Sequence, residues 1–210
     1  MLFRSIWLYL FGAIVLTAWL ALAVGWQMAA LAGAGIVVLF AYNSPGVFAM
    51  GKGWGEALTG IGFGPLPVLW GYMAVTGSFG PTPLLLGCVI AFFIMAVLYV
   101  NEIPDMPSDS AAGKRTHVTR VGLRIATRNL RLLFTAGFAL LLVFAVFDVL
   151  PMAVLLGFAG LPIAAAAATY SKLWLVGDPM ALKSNALTIV VHLVVGFGLT
   201  AGLVLAQVLA

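Results

Sequence analysis

The sequence predicts an all-α, polytopic membrane helix bundle of about seven transmembrane helices, and three observations carry that expectation. Hydrophobic residues make up 64% of the chain and charged residues only 8%. A soluble domain carries about a quarter charged residues, so this chain lacks the polar surface that water requires. The apolar runs are long and continuous, unlike the alternating segments of about ten residues that build a transmembrane barrel. Finally, all ten Lys and Arg fall on one side of the membrane when seven spans are counted.

Taken in order, the spans are 6–24, 28–42, 57–76, 83–100, 132–147, 152–170 and 187–209, within a single membrane domain covering 1–210. The first has a basic start at Arg4 and an Ala21-Leu-Ala23 stretch that outline a signal peptide, but its apolar run is long for one. The second is short. The third is interrupted by Gly60, Gly62, Gly64, Pro65 and Pro67. Freed backbone groups are tolerated at membrane depth only where neighbouring helices or a polar cavity satisfy them, so this span is expected to line a cavity. Ala164–Ala168 in the sixth reads as tight helix packing, and His192 in the seventh as a neutral imidazole bonded to a neighbouring helix.

With seven spans the N-terminus, 43–56, 101–131 and 171–186 share one side, which holds Arg4, Lys52, Lys114, Arg115, Arg120, Arg124, Arg128, Arg131, Lys172 and Lys183. That side is expected to be cytoplasmic, in the cell membrane. The net charge of +4 then reflects topology. No basic face with interleaved aromatics exists, which argues against nucleic acid as a partner. The single cysteine, Cys88, forms no intramolecular disulfide and no CxxC site.

One stretch breaks the apolar pattern: NEIPDMPSDSAAGKRTHVTRVG, from Asn101 to Gly122. It holds three of the six acidic residues (Glu102, Asp105 and Asp109), followed by Lys114, Arg115 and Arg120. Asn101, Asp105 and Asp109 share a helical face if the helix continues past Val100. Pro104 and Pro107 leave a frayed loop equally open. Either geometry can offer oxygen ligands to a divalent cation, and the basic cluster behind can hold a polyanion bridged by that cation. This is what handling a diphosphate requires. The plainer reading is a solvated helix end. His117 in this stretch reads as a bystander, and Arg124, Arg128 and Arg131 as anchors to anionic headgroups. The other polar loop, YNSPGVFAMGKGWGE from Tyr42 to Glu56, adds Tyr42, Ser44, Lys52 and Glu56 on the same side. No GxSxG, HExxH or P-loop pattern is present.

The NEIPDMPSDSAAGKRT stretch with Arg120-Val121-Gly122 resembles the second aspartate-rich motif of the UbiA superfamily of intramembrane prenyltransferases. GKGWGE and the following GFGPLPVLWGYMAVTG are similar to the segment that precedes that motif. The likeness is greatest to the branch that includes 1,4-dihydroxy-2-naphthoate prenyltransferases of menaquinone synthesis. The resemblance implies a Mg²⁺-dependent enzyme that moves an isoprenyl group from its diphosphate to an aromatic acceptor, in a bilayer. It implies metal roles for Asp105 and Asp109 with Asn101 in support, and diphosphate contacts for Lys114, Arg115 and Arg120, with Lys52 and Tyr42 near them. The family has nine helices and two aspartate-rich motifs. This chain matches the later seven helices and shows only the second motif. It is therefore expected to be a fragment, a paralogue without activity, or a half-enzyme whose partner polypeptide supplies the first motif. The rival readings are a non-catalytic isoprenoid- or quinone-binding membrane protein and, more weakly, a transporter. The near absence of charge within the spans counts against transport.

Overall fold

The computed structural model describes residues 2–43 and 53–209, with side chains from Trp7 onward in the first helix. The elements among them are all helical. In chain order they are α1 (Leu2–Ala23), α2 (Gln27–Asn43), α3 (Gly55–Phe63), α4 (Pro65–Thr76), α5 (Pro81–Ala111), α6 (His117–Val121) and α7 (Leu123–Val146). A 3₁₀ helix at Met152–Gly160, α8 (Leu161–Ser171), two short 3₁₀ segments at Lys172–Val176 and Pro179–Leu182, and α9 (Lys183–Leu209) complete the chain. Five segments are long and apolar enough to cross a membrane: Gly55–Thr76, Pro81–Ala111, Leu123–Val146, Met152–Val176 and Pro179–Leu209. Two shorter apolar helices, Trp7–Ala23 and Gln27–Asn43, precede them. The molecule is a polytopic all-α membrane bundle.

In lipid, helices gain little from burying apolar surface against one another, so close packing and small residues decide where they meet. The core forms where α5, α7, α8, α9 and the 152–160 helix converge, around Phe93, Leu130, Leu141, Val154, Val191 and Val195. Phe93 meets Phe138 edge-on at 5.0 Å between ring centroids, and Phe138 meets Phe158 at 5.2 Å, arrangements that suit the aromatic quadrupole. Along α9, Gly198 lies so close to the 152–160 helix that a Cβ there would sit 2.7 Å from the Cα of Gly157. The alanine run behaves as expected, with Ala164, Ala167 and Ala168 buried against neighbouring helices.

The interrupted third span resolves into α3 and α4, with Gly64 at the junction. A Cβ on Gly64 would come within 2.6 Å of the carbonyl oxygen of Gly87 on α5. Its break thus serves close backbone contact with α5 on one side. On the other side Leu58, Thr59, Gly62 and Phe63 line an apolar groove of about 420 Å³ shared with Val38, Leu39 and Leu98. His192 departs from its expected role: its Nδ1 is buried without a hydrogen-bond partner among the described residues.

Candidate functional site

The polar stretch at 101–122 is built on the last turns of α5. The helix runs unbroken to Ala111 with both Pro104 and Pro107 inside it. A proline has no N–H, so Pro104 leaves the carbonyl of Val100, four residues back, without its intrahelical donor. Asn185, in the first turns of α9, fills the gap. Its side-chain nitrogen donates to the Val100 carbonyl at 3.1 Å and to the Asn101 side-chain oxygen at 2.9 Å. The same amide therefore repairs the proline defect and fixes the orientation of Asn101.

Because the helix persists, Asn101, Asp105 and Asp109 lie on one face, spaced by four residues. Asn101 and Asp105 are exposed and Asp109 is half-buried. The helix then stops at Gly113, whose positive φ of 73° suits glycine. The N–H of Gly113 donates to the Ser110 carbonyl, and that of Lys114 to the Asp109 carbonyl at 2.9 Å. This is the pairing of a Schellman cap, and it turns the chain back along the helix. The Lys114 ammonium consequently reaches Asp109 Oδ1 at 2.8 Å. That hydrogen bond, with the Asp109 charge behind it, holds the Lys114 pKa above its ordinary value.

Lys114, Arg115 and Arg120 together line a polar cleft of about 710 Å³, with Ser110, Gly113 and Thr119. The Thr116 side chain accepts from the Thr119 N–H and so caps α6, which carries Arg120. Arg120 lies over Gly53, where a Cβ would be 3.4 Å from the guanidinium carbon. Tyr42, at the end of α2, is half-buried among Glu102, Glu56, Lys114 and Asp109. Lys52 lies outside the described residues. The described residues among those expected from the sequence to act together sit at one end of the bundle, contributed by α2, α5, α6 and the turn between α5 and α6. Arg124, Arg128 and Arg131 form an exposed row on α7.

Two groupings of side chains were not foreseen from the sequence. Glu56, in the first turn of α3, and Glu102 on α5 are both more than nine-tenths buried, and their carboxyl groups lie side by side, with the Thr116 hydroxyl also at Glu102. Each retains one oxygen without a partner among the described residues, Glu56 Oε1 and Glu102 Oε2. Beside Glu56 is a second polar group. The Asn129 side-chain nitrogen lies 3.3 Å from the Tyr99 hydroxyl and 3.1 Å from His117 Nε2. The signal for Glu56 was its place in a hydrophobic chain with only six acids. Nothing local announced Asn129 or Asn185.

Asn101, Asp105 and Asp109 offer only oxygen donors, which is the chemistry Mg²⁺ takes. Among the described residues no three His, Cys, Asp or Glu side chains converge to hold a metal ion unaided. The donor set therefore fits an ion that keeps water or phosphate oxygens in much of its shell.

Fold and site together define a helical membrane protein with an acidic helix end beside a cationic cleft. Residues 3–183 match the family model described as the UbiA prenyltransferase family, and the chain belongs to that family. The family's chemistry is the transfer of prenyl groups to aromatic acceptors. Comparison with individual characterised proteins and with solved structures gives no match.

Proposed function

We propose that this chain takes part in Mg²⁺-dependent transfer of an isoprenyl group from its diphosphate to an aromatic acceptor, in the menaquinone-type branch of the family. The observation that carries the reading is the meeting of two unlike surfaces at Tyr42. On one side is the Asp109–Lys114 helix end with its cationic cleft. On the other is the apolar groove formed by α2, α3 and α5. A diphosphate with a hydrocarbon tail needs both.

Asp105 and Asp109, with Asn101 in support, would hold Mg²⁺, which when bound neutralises diphosphate charge and so favours its departure. Lys114, Arg115 and Arg120 bind the diphosphate oxygens and stabilise the charge that develops on the leaving group. Their positions are preset by the Schellman turn and the Thr116 cap, so little reorganisation is needed as that charge grows. Leu39, Leu58, Phe63 and Leu98 receive the isoprenyl chain and keep water from the reacting carbon.

The six acidic residues supply only one aspartate pair of this kind. We therefore propose that turnover also needs a polypeptide segment bearing a second aspartate-rich edge. The charged end faces the cytoplasm and the bundle crosses the membrane seven times. Single cysteines at Ser78 and Ser108, introduced with Cys88→Ser, should label from opposite sides.

The deciding experiment measures binding of radiolabelled geranyl diphosphate to the chain in lipid nanodiscs, with Mg²⁺ and with chelator. Binding should need Mg²⁺ and be lost in an Asp105→Asn, Asp109→Asn variant whose helicity is intact. Unchanged affinity in that variant overturns the reading and leaves a binding protein of another kind.

A further inference from the structure

On the outer surface of the bundle, α7 and α8 leave a groove of about 500 Å³ between them. Thr135, Ala139 and Leu142 on one wall and Leu161, Ala165 and Thr169 on the other are exposed, so it opens sideways toward lipid. The two spans run in opposite directions, and Arg131 and Lys172 therefore stand at the same end of it. The lining runs along α7 from Arg131 to Leu142, about 16 Å at a rise of 1.5 Å per residue. Half of a ~30 Å hydrocarbon core is the same length, which is the reach of an acyl chain in one leaflet.

The polar groups of the groove define what fits. Its floor is apolar, with Phe134, Phe138, Ala164 and Ala168 buried beneath it. Its two hydroxyls are spent on their own helices. Thr135 Oγ1 donates to the Arg131 carbonyl at 3.0 Å, and Thr169 Oγ1 to the Ala165 carbonyl at 2.8 Å. A hydrocarbon chain can therefore lie along the groove without stranding a donor. Charge stands only at the end, and it is all of one sign. Arg131 and Lys172 are exposed, and among the described residues neither is in a salt bridge. No described Asp or Glu lines the groove.

We propose that this groove binds one anionic glycerophospholipid, with an acyl chain laid between α7 and α8 and the phosphate held by Arg131 and Lys172. The guanidinium can take two phosphate oxygens at once, and the ammonium adds a point charge. A lipid fits better than a soluble anion, because everything below the two cations is apolar and faces the bilayer. An anionic headgroup fits better than a zwitterionic one, whose own ammonium would meet two cations and no carboxylate. Basic pockets between membrane helices hold anionic headgroups for these reasons. Arg124 and Arg128 continue the exposed row on α7, but neither lines the groove. The bound lipid bridges α7 and α8, and it does so independently of the chemistry at the Asp109–Lys114 cleft.

The test titrates the delipidated full chain in detergent with dioleoylphosphatidylglycerol or dioleoylphosphatidylcholine and counts bound lipid by native mass spectrometry. One phosphatidylglycerol should bind per chain, about tenfold more tightly than phosphatidylcholine, the order expected of two cations at one anionic headgroup. An Arg131→Gln, Lys172→Gln variant should lose that preference. An Arg124→Gln, Lys183→Gln variant gives up the same charge outside the groove and should keep it. Ala139→Leu with Ala165→Leu fills the groove from both walls and spares the cations, yet should abolish the tight lipid. These four positions and the two alanines are exposed, so helicity should be unchanged in every variant. Equal affinity for the two lipids, equal losses in the two charge variants, or tight binding in the filled groove overturns the proposal. So does displacement of the lipid by sn-glycerol 3-phosphate, which would make the site one for free phosphate. Displacement by geranyl diphosphate would equally overturn it, as a second diphosphate site.

Discussion

Two regions of this bundle are equally apolar and are packed in opposite ways. On α9, Gly198 meets the backbone of the 152–160 helix at van der Waals limits, and Val191, Val195 and Leu199 are buried. Among the described side chains of α1 and α2 only Met28 is buried, and Gly12, Gly33 and Gly35 have no atom beyond their own stretch of helix backbone within 4 Å of where a Cβ would stand. Trp7, Tyr9, Phe11 and Trp19 are largely exposed. Hydropathy cannot distinguish the two regions, because lipid solvates both. What separates them is whether a small residue faces another backbone.

That comparison breaks most readily at the glycines. Gly198→Val places a branched side chain into the Gly157 backbone, which cannot yield as a flexible side chain would. Overpacking of this kind typically costs about 1–3 kcal/mol, and the upper end is expected here. Gly33→Ala on α2 meets open space and removes a helix-interior glycine, so a gain of roughly 0.5–1 kcal/mol is expected. Unfolding midpoints of the two variants in one detergent measure both. Equal destabilisation would mean that α2 is as tightly held as α9.

How much of this could be read from the chain follows the same division. The apolar runs and the place of the polar stretch are local properties, and the helices fall on them. The fate of α5 beyond Val100 was not local. Pro104 and Pro107 made a frayed loop as plausible as a helix, and the partner that decides the matter, Asn185, is 85 residues away. Glu56 and Glu102 are separated by the whole of α4 and most of α5, so their juxtaposition was equally invisible. Lys52, expected near the diphosphate, lies outside the described residues.

The Asn185 repair yields the next largest effect. Asn185→Ala leaves the Val100 carbonyl without a donor and releases Asn101, which should cost about 1–3 kcal/mol. Pro104→Ala restores an N–H to that carbonyl. In the Pro104→Ala background the cost of Asn185→Ala should therefore shrink by more than half. Such non-additivity is what a double-mutant cycle detects between groups sharing a partner. Simple additivity would show that Asn185 acts through Asn101 alone.

The smallest effect on stability belongs to the pair that matters most for the proposed chemistry. Lys114 and Asp109 are linked at 2.8 Å, with the lysine side chain 37% exposed. An ion pair so open to water contributes little to folding. Its linkage has a definite sign. The Asp109 hydrogen bond raises the folded-state pKa of Lys114, so the pair's contribution is fully present below the ordinary lysine value of about 10.5. It is lost as pH rises through the raised folded value. Lys114→Gln should accordingly leave the unfolding midpoint at neutral pH within error of the wild type, and flatten whatever decline appears above pH ~10.5. Its binding phenotype should be far larger than its stability phenotype. A diphosphate arriving beside Asp109 needs the ammonium turned toward its own oxygens, and losing one charge-assisted contact should weaken geranyl diphosphate binding about tenfold. Measured together, the two readouts separate a lysine held for the ligand from one held for the fold. A clear loss of stability at neutral pH, with diphosphate affinity intact, would assign the pair to the fold and remove Lys114 from the cleft's function.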